Sequence, residues 1–206
     1  MPAKKYLILS RRFPDAVMER AARDYRLAVN EDDRQLSPDE LLGRLGTADA
    51  ALVSITDRID AEFIRALPPQ VGVIATFSVG TDHIDLSAAR ARGLKVGNAP
   101  HGVTVATAEI AMLLILGAAR RAPEGASELL GGRWTGWTPT QLLGRRLDGK
   151  ILGIYGMGKI GSALAKRARA FDMQIHYHSR RPVTDEDQRG AIYHHSAQSL
   201  FATADI

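Results

Sequence analysis

The chain of 206 residues contains no cysteine, so disulfide bonds and thiolate chemistry are excluded. Aromatic residues make up only 6% of the sequence, and the lysines and arginines are spread along it rather than gathered with aromatics in one block. That pattern argues against a nucleic acid partner. With a net charge of +4, the chain is better suited to small acidic molecules.

Long hydrophobic runs are also absent. The longest, Ile110 to Ala119, is too short to cross a bilayer, and the apolar run near the N-terminus is too short for the core of a signal peptide. Hydrophobic residues at 45% and charged residues at 24% are typical of an ordinary globular chain. We therefore expect a cytoplasmic protein without a membrane partner.

Short apolar runs alternate with amphipathic segments over residues 4–98. This rhythm predicts a parallel α/β sheet with helices on both faces. Asp15 and Ser37 mark helix starts, and Gly93 marks a helix stop. The predicted strands are YLILS, RLAVN, AALVSI, VGVIATFS and KVGNA, and the predicted helices are Asp15–Arg23, Pro38–Leu45, Ala61–Leu67 and Leu86–Arg92.

The segment NAPHGV breaks this rhythm with proline and glycine, and we place a domain boundary there, giving domains 1–98 and 99–206. The apolar residues that follow predict one long helix from Thr104 to Arg121. The next segment, GGRWTGWTP, is predicted to be a loop. Its Trp134 and Trp137 are either packed core aromatics or part of an interface.

The most informative segment runs from Ile151 to Phe171. It is a predicted strand followed by Gly156-x-Gly158-x-x-Gly161 and a helix, and a second strand, Met173 to His178, follows. In a dinucleotide-binding fold the first glycine permits a tight turn, the second lets the backbone approach a pyrophosphate, and the third allows close helix packing. The alternative is a glycine-rich turn that binds nothing.

The end of the second predicted strand reads His178-Ser179-Arg180-Arg181, without an acidic residue. NAD-specific sites place Asp or Glu at this point to bind the ribose 2′-hydroxyl, and a carboxylate would repel a 2′-phosphate. A hydroxyl and two guanidinium groups would instead bind that phosphate. The sequence therefore favours NADP, with NAD as the alternative if the two arginines are merely solvated loop charges.

Four histidines lie on this strand and the next predicted strand, AIYHH. They are His176, His178, His194 and His195. If the strands pair, several imidazoles approach one another, which raises the possibility of a metal site. His194 and His195 point to opposite faces, and no cysteine or carboxylate completes a ligand set. We therefore predict no metal.

The last residues follow the same α/β pattern. A charged loop over residues 184–190, the strand AIYHH and the helix SAQSLFATA lead to Ala204–Ile206, which resembles the start of a fourth strand. A dinucleotide fold contains two mononucleotide halves, and the second would need on the order of 100 further residues. We therefore expect a fragment whose last sheet edge is exposed and prone to aggregation.

The chain resembles the D-isomer-specific 2-hydroxyacid dehydrogenases, and within them the glyoxylate/hydroxypyruvate reductase branch. The segments that carry the resemblance are ATFSVGTDHID, NAPHGVTVATAEIAMLLILGAARR, and LDGKILGIYGMGKIGSALAKRARAF with its YHSRRP continuation. The resemblance implies a flavodoxin-like substrate domain lacking its C-terminal return, followed by an incomplete Rossmann domain. It also implies a small 2-oxo or 2-hydroxy acid substrate and a homodimer.

The resemblance also implies site residues. Val79 and Gly80 would offer backbone amides to the substrate carboxylate, whereas the alternative is a plain turn before a helix capped by Asp85. Thr107 would lie near the nicotinamide, whereas a threonine inside a helix often bonds its own backbone. The cofactor would be held by Gly156, Gly158, Lys159, Ile160, Gly161, Ser179, Arg180 and Arg181.

The catalytic groups that the resemblance implies are an Arg, a Glu and a His that protonates the substrate carbonyl. All three are expected beyond residue 206, so no residue here is assigned as catalytic and the chain alone is expected to be inactive. His83 and His101 lie outside the position of the acid. The alternative function is a non-catalytic, dinucleotide-sensing corepressor on the same scaffold, which would carry a groove for a partner peptide in residues 1–98.

Overall fold

The computed structural model describes residues 3–184 and 190–206, so residues 185–189 of the predicted charged loop lie outside the described residues. The chain divides into two compact units, Met1–Gly102 and Val103–Ile206. This boundary falls inside the NAPHGV segment, before its last residue, whereas the sequence analysis placed it between residues 98 and 99. Within the described residues, no helix combines the length and the apolar character that a membrane span requires.

The first unit is a five-stranded parallel sheet in the order β2-β1-β3-β4-β5, which is the flavodoxin-like order and confirms the predicted fold class. A short 3-10 turn, Leu45–Thr47, precedes the third strand. The elements are β1 (Tyr6–Leu9), α1 (Asp15–Asp24), β2 (Arg26–Val29), α2 (Pro38–Arg44), β3 (Ala50–Val53), α3 (Ala61–Ala66), β4 (Val73–Thr76), α4 (Leu86–Arg92) and β5 (Lys95–Gly97).

Both faces of this sheet are buried, because alternate strand residues belong to two different cores. Ile8 of β1 packs with helices α2, α3 and α4, whose buried side chains include Leu41, Phe63 and Ala89. Leu9, the next residue along β1, packs with α1 on the other face. The near-continuous apolar strands of the sequence follow from this double burial.

The helix ends agree with the local sequence signals. Ser37 accepts a hydrogen bond from the Glu40 amide at 3.2 Å, and the Glu40 carboxylate accepts one from the Ser37 amide. Asp85 caps α4 by accepting from the Ala88 amide at 2.9 Å. Gly93 ends α4 in the left-handed conformation, at φ 74°. The predicted helix start at Ser37 and the predicted stop at Gly93 therefore each have a physical cause.

The second unit contains a three-stranded parallel sheet in the order β6-β7-β8, the order of the first three strands of a Rossmann fold. The Gly153 amide donates to the Ile206 carbonyl at 2.8 Å, so the last residues lie along the edge of β6 that does not face β7. The elements are α5 (Thr104–Ala119), α6 (Ala122–Leu130), β6 (Ile151–Tyr155), α7 (Lys159–Arg169), β7 (Gln174–His178), β8 (Ile192–Tyr193) and α8 (Ala197–Thr203).

The predicted single helix from Thr104 to Arg121 is wrong at its C-terminal end. Helix α5 stops at Ala119, Arg121 adopts the left-handed conformation at φ 54°, and α6 begins at Ala122. Pro123 sits in the first turn of α6, where its missing N–H costs nothing. Residues 131–150 contain neither helix nor strand, which agrees with the predicted tryptophan-containing loop.

Candidate dinucleotide and carboxylate sites

The turn between β6 and α7 has the geometry that its glycines require. Gly156 adopts φ 105°, which a residue with a side chain rarely reaches. At Gly161 a Cβ atom would lie 2.3 Å from the Gly156 carbonyl oxygen and 3.1 Å from Ile154 Cγ2. Gly161 is therefore needed for the close approach of α7 to the end of β6.

Gly158 differs, because no contact with the described residues requires a glycine there. Its φ of −83° is open to any residue, and a Cβ atom would meet no atom within 4 Å. It is the N-cap of α7, which has no side-chain cap, and the amides of Met157 and Gly158 donate to no acceptor within the described residues. Free amides at an uncapped helix N-terminus, beside open space, fit an anionic group such as a pyrophosphate.

A cleft of about 870 Å³ opens in front of this turn. It brings Gly156 and Gly158 together with Ser179, Arg180 and Arg181, which the sequence analysis singled out separately. No carboxylate is present among the described residues that line it. The remaining lining residues are Tyr155, Met157, His178 and Val183.

Arg180 and Arg181 are exposed, and neither side chain makes a hydrogen bond or an ion pair within the described residues. Ser179 is different, because its hydroxyl donates to the Arg181 carbonyl at 2.6 Å and so shapes the turn. Among the residues that the structure describes, the two positive charges of the cleft are therefore uncompensated, and the serine can accept hydrogen bonds but does not donate outward in this arrangement.

Three other predicted cofactor residues lie on helices. Lys159 and Ile160 form the first turn of α7, next to the free amides. Thr107 lies on α5, is exposed, and donates its amide to the Val103 carbonyl at 2.8 Å. Its hydroxyl makes no bond to its own backbone, and Thr107 is not among the residues lining the cleft. The structure thus gathers the glycines and the arginines but not Thr107.

The predicted approach of the histidines occurs, but as a hydrogen-bonded pair. His176 Nδ1 lies 2.9 Å from His194 Nε2, and His194 Nδ1 lies 2.8 Å from Ser199 Oγ on α8. His178 Nδ1 donates to the His194 carbonyl at 2.8 Å. Burial, with a smaller contribution from His194, lowers the pKa of His176. Among the described residues, no group of three potential metal ligands is present.

In the first unit, Val79 and Gly80 follow β4 at the carboxyl edge of the sheet. Their two amides donate to no acceptor within the described residues, so both are available to an anion. The neighbouring His83 is bonded through Nε2 to Thr76 Oγ1 at 2.9 Å, and burial lowers its pKa. A histidine held in this way is suited to structure rather than to proton donation.

The sequence of residues 7–205 matches the family model described as D-isomer specific 2-hydroxyacid dehydrogenase, catalytic domain. The chain belongs to this family. Glycerate dehydrogenase from Hyphomicrobium methylovorum is 47% identical over 204 residues, which cover 98% of this chain and 63% of that protein.

Solved structures of relatives support the same family assignment. One from Polaromonas sp. JS6 66, described as a D-isomer specific 2-hydroxyacid dehydrogenase, NAD-binding, has a TM-score of 0.93 at 46% identity and covers 99% of this chain and 64% of its own. A glyoxylate reductase from Paecilomyes thermophila has a TM-score of 0.81 at 33% identity, with coverage of 100% and 64%. The chain therefore spans less than two thirds of the length of these relatives.

Sequence analysis missed the side chains that hold the Val79–Gly80 turn. Asn98 Nδ2 donates to the Val79 carbonyl at 2.7 Å, and Ser78 Oγ donates to the Gly80 carbonyl at 2.7 Å. Both residues follow strands of a parallel sheet, where ligand sites concentrate. Their position after a strand was the sequence signal that could have identified them. The hydrogen bond of Asn98 to Val79 could not be predicted in this way, because it depends on the order of the strands in the sheet.

Proposed function

We propose that this chain forms the substrate-carboxylate and dinucleotide-binding parts of a 2-hydroxyacid dehydrogenase that reduces glyoxylate or hydroxypyruvate and prefers NADPH. The observation that carries the proposal is the cleft of the second unit, where uncapped helix amides and two arginines without a partner among the described residues face the same space. The helix amides suit a pyrophosphate, and the arginines suit a 2′-phosphate.

Within that cleft each residue has a distinct task. The amides of Met157 and Gly158 would bind the pyrophosphate, and Gly158 would let it come close to the backbone. Arg180 and Arg181 would bind the 2′-phosphate through charge-assisted hydrogen bonds. When bound, the dinucleotide would supply a hydride to the substrate carbonyl, and these residues of the cleft would bind and orient the dinucleotide.

The substrate would be a small 2-oxo acid. The free amides of Val79 and Gly80 would bind its carboxylate without adding a countercharge. Glyoxylate and hydroxypyruvate are proposed because the relatives are named glyoxylate reductase and glycerate dehydrogenase. No residue of this chain is assigned to the proton-donating step, and we predict that the 206-residue chain does not oxidise NADPH in the presence of glyoxylate.

NAD is the second candidate cofactor, because the relative from Polaromonas sp. JS6 66 is described as NAD-binding. The two candidates differ in what they need from Arg180 and Arg181. NAD has no 2′-phosphate for these side chains to bind, so removal of their charge would leave its affinity nearly unchanged.

We further propose that the protein acts as a homodimer in the cytoplasm. Helix α5 is apolar over most of its surface: Met112 is buried in the core with Ile115 and Leu116 packed against it, while Ile110, Leu113 and Leu114 are exposed. A helix that is apolar over most of its surface is normally covered over most of it, and a second copy would cover this face.

Carboxylate binding can be tested by two-dimensional 1H–15N NMR of the 206-residue chain. Titration with glyoxylate is expected to shift the Val79 and Gly80 amide signals, whereas glycolamide, which has no charge, is expected to leave them unchanged. If glyoxylate moves neither amide, the proposed substrate site is wrong.

A further inference from the structure

A continuous hydrogen-bonded chain connects His83 to the turn that carries the two free amides. His83 Nε2 lies 2.9 Å from Thr76 Oγ1, and Thr76 Oγ1 lies 2.8 Å from Ser78 Oγ. Ser78 Oγ in turn donates to the Gly80 carbonyl at 2.7 Å. Thr76, at the centre of this hydrogen-bonded chain, is buried, whereas Ser78 and His83 are partly exposed.

The direction of every bond in this chain follows from the last one. A carbonyl oxygen can only accept, so the single hydroxyl proton of Ser78 is committed to Gly80. Ser78 must therefore accept from Thr76, and Thr76 must accept from His83. His83 consequently carries a proton on Nε2.

Three consecutive carbonyls of the turn are held by donors of the protein. The Ser78 carbonyl accepts from the Ala99 amide at 2.9 Å, and the Val79 and Gly80 carbonyls accept from Asn98 and Ser78. In a trans peptide the carbonyl of one residue and the amide of the next point in opposite directions. Fixing the Ser78 and Val79 carbonyls therefore fixes the directions of the Val79 and Gly80 amides.

We propose that Asn98 and the His83–Thr76–Ser78 chain are positioning residues for the Val79 and Gly80 amides, which bind the carboxylate of the substrate. Asn98 fixes the peptide of the Gly80 amide directly, whereas the hydrogen-bonded chain fixes the following peptide through the Gly80 carbonyl and so holds Gly80 from its other side. This inference rests on the proposed function, because it assumes that those amides bind the substrate. His83 acts at the other end of the hydrogen-bonded chain, where its Nε2 proton sets the direction of every hydrogen bond in that chain.

The test uses three variants of the 206-residue chain and glyoxylate as the probe. Asn98→Ala and His83→Leu each remove one donor, and the glyoxylate affinity read from the Val79 and Gly80 amides is expected to fall roughly fivefold, the effect of one hydrogen bond of typical net strength. His83→Gln places an amide donor near the position of Nε2, so its affinity is expected to stay within about twofold of wild type. Circular dichroism melting verifies that each variant is folded.

A second readout is independent of the ligand. Long-range 1H–15N NMR of the wild-type imidazole is expected to show His83 protonated on Nε2 and unprotonated on Nδ1. A neutral ring protonated on Nδ1 would overturn the proposed direction of the chain. If glyoxylate binds the wild type and all three variants equally, the positioning inference fails while the proposed function stands. If glyoxylate does not bind the wild type, both fail.

Discussion

At the scale of single residues, Gly158 and Gly161 occupy the same turn but have different roles. A side chain at Gly161 would collide with the Gly156 carbonyl oxygen, whereas a side chain at Gly158 would meet nothing. The sequence pattern predicted both glycines but could not distinguish packing from ligand approach. The distinction depends on atoms that the fold brings to each Cβ position.

We predict that Gly161→Ala lowers the free energy of unfolding by about 1–3 kcal/mol, because backbone atoms of α7 and β6 must move apart. Gly158→Ala is the matched control: it is expected to change stability by less than about 1 kcal/mol while weakening NADPH binding. Urea denaturation and calorimetric titration give the two quantities. Equal stability losses in the two variants would contradict this division of roles.

At the scale of secondary-structure elements, the sequence predicted most of the chain. Strands and helices of the first unit were found because apolar runs, Ser37, Asp85 and Gly93 are strong local signals. Helix α6 was missed because the helical pattern of α5 continues across Arg121, and only the left-handed backbone there separates the two. The meeting of His176 with His194 depended on whether β7 pairs with β8, which no local signal decides.

The hydrogen bonds that connect His176 on β7 through His194 to Ser199 on α8 are expected to weaken in acid. Burial keeps the pKa of His176 below its ordinary value of 6.5, so the unfolded chain takes up a proton more readily than the folded one. The stability contributed by neutral His176 is therefore complete above about pH 6.5 and is lost as the pH falls toward the folded-state pKa.

Urea denaturation at pH 7.5 and pH 5.5 tests this expectation. His176→Asn is expected to reduce the loss of stability between these two pH values, because the variant lacks the buried group that titrates. His195→Asn removes a histidine that is exposed, and it is expected to keep the wild-type loss. A wild-type loss unchanged in His176→Asn would show that this histidine does not cause it.

At the scale of the whole molecule, the two units are each recognisable from the sequence. The share of the relatives' length that the chain covers is known only from comparison with those relatives. Alternating runs of strand and helix predict parallel α/β units, and the resemblance to the family implied the flavodoxin-like and Rossmann folds, whereas the strand orders are given by the structure. The exposed apolar face of α5 was not predicted, because an apolar run does not show which of its sides the core covers.

We predict that this face mediates dimer formation. Leu113→Glu combined with Leu114→Glu is expected to shift a dimer to a monomer in sedimentation velocity, since two charges cannot be buried unpaired at the contact. Ile55→Glu, which alters an equally exposed apolar residue of the first unit, is expected to leave the dimer intact. A wild-type chain that is monomeric at high micromolar concentration would contradict the proposed dimer.

The most direct test of the proposed cofactor site is calorimetric titration of the 206-residue chain with NADPH and NADH in parallel, repeated with Arg180→Ala. We predict that NADPH binds at least about tenfold more tightly and that the variant loses this margin, which corresponds to about 1.4 kcal/mol for the 2′-phosphate. Equal affinities for the two cofactors in the wild type would contradict the assignment of Arg180 and Arg181, and failure of both to bind would contradict the site itself.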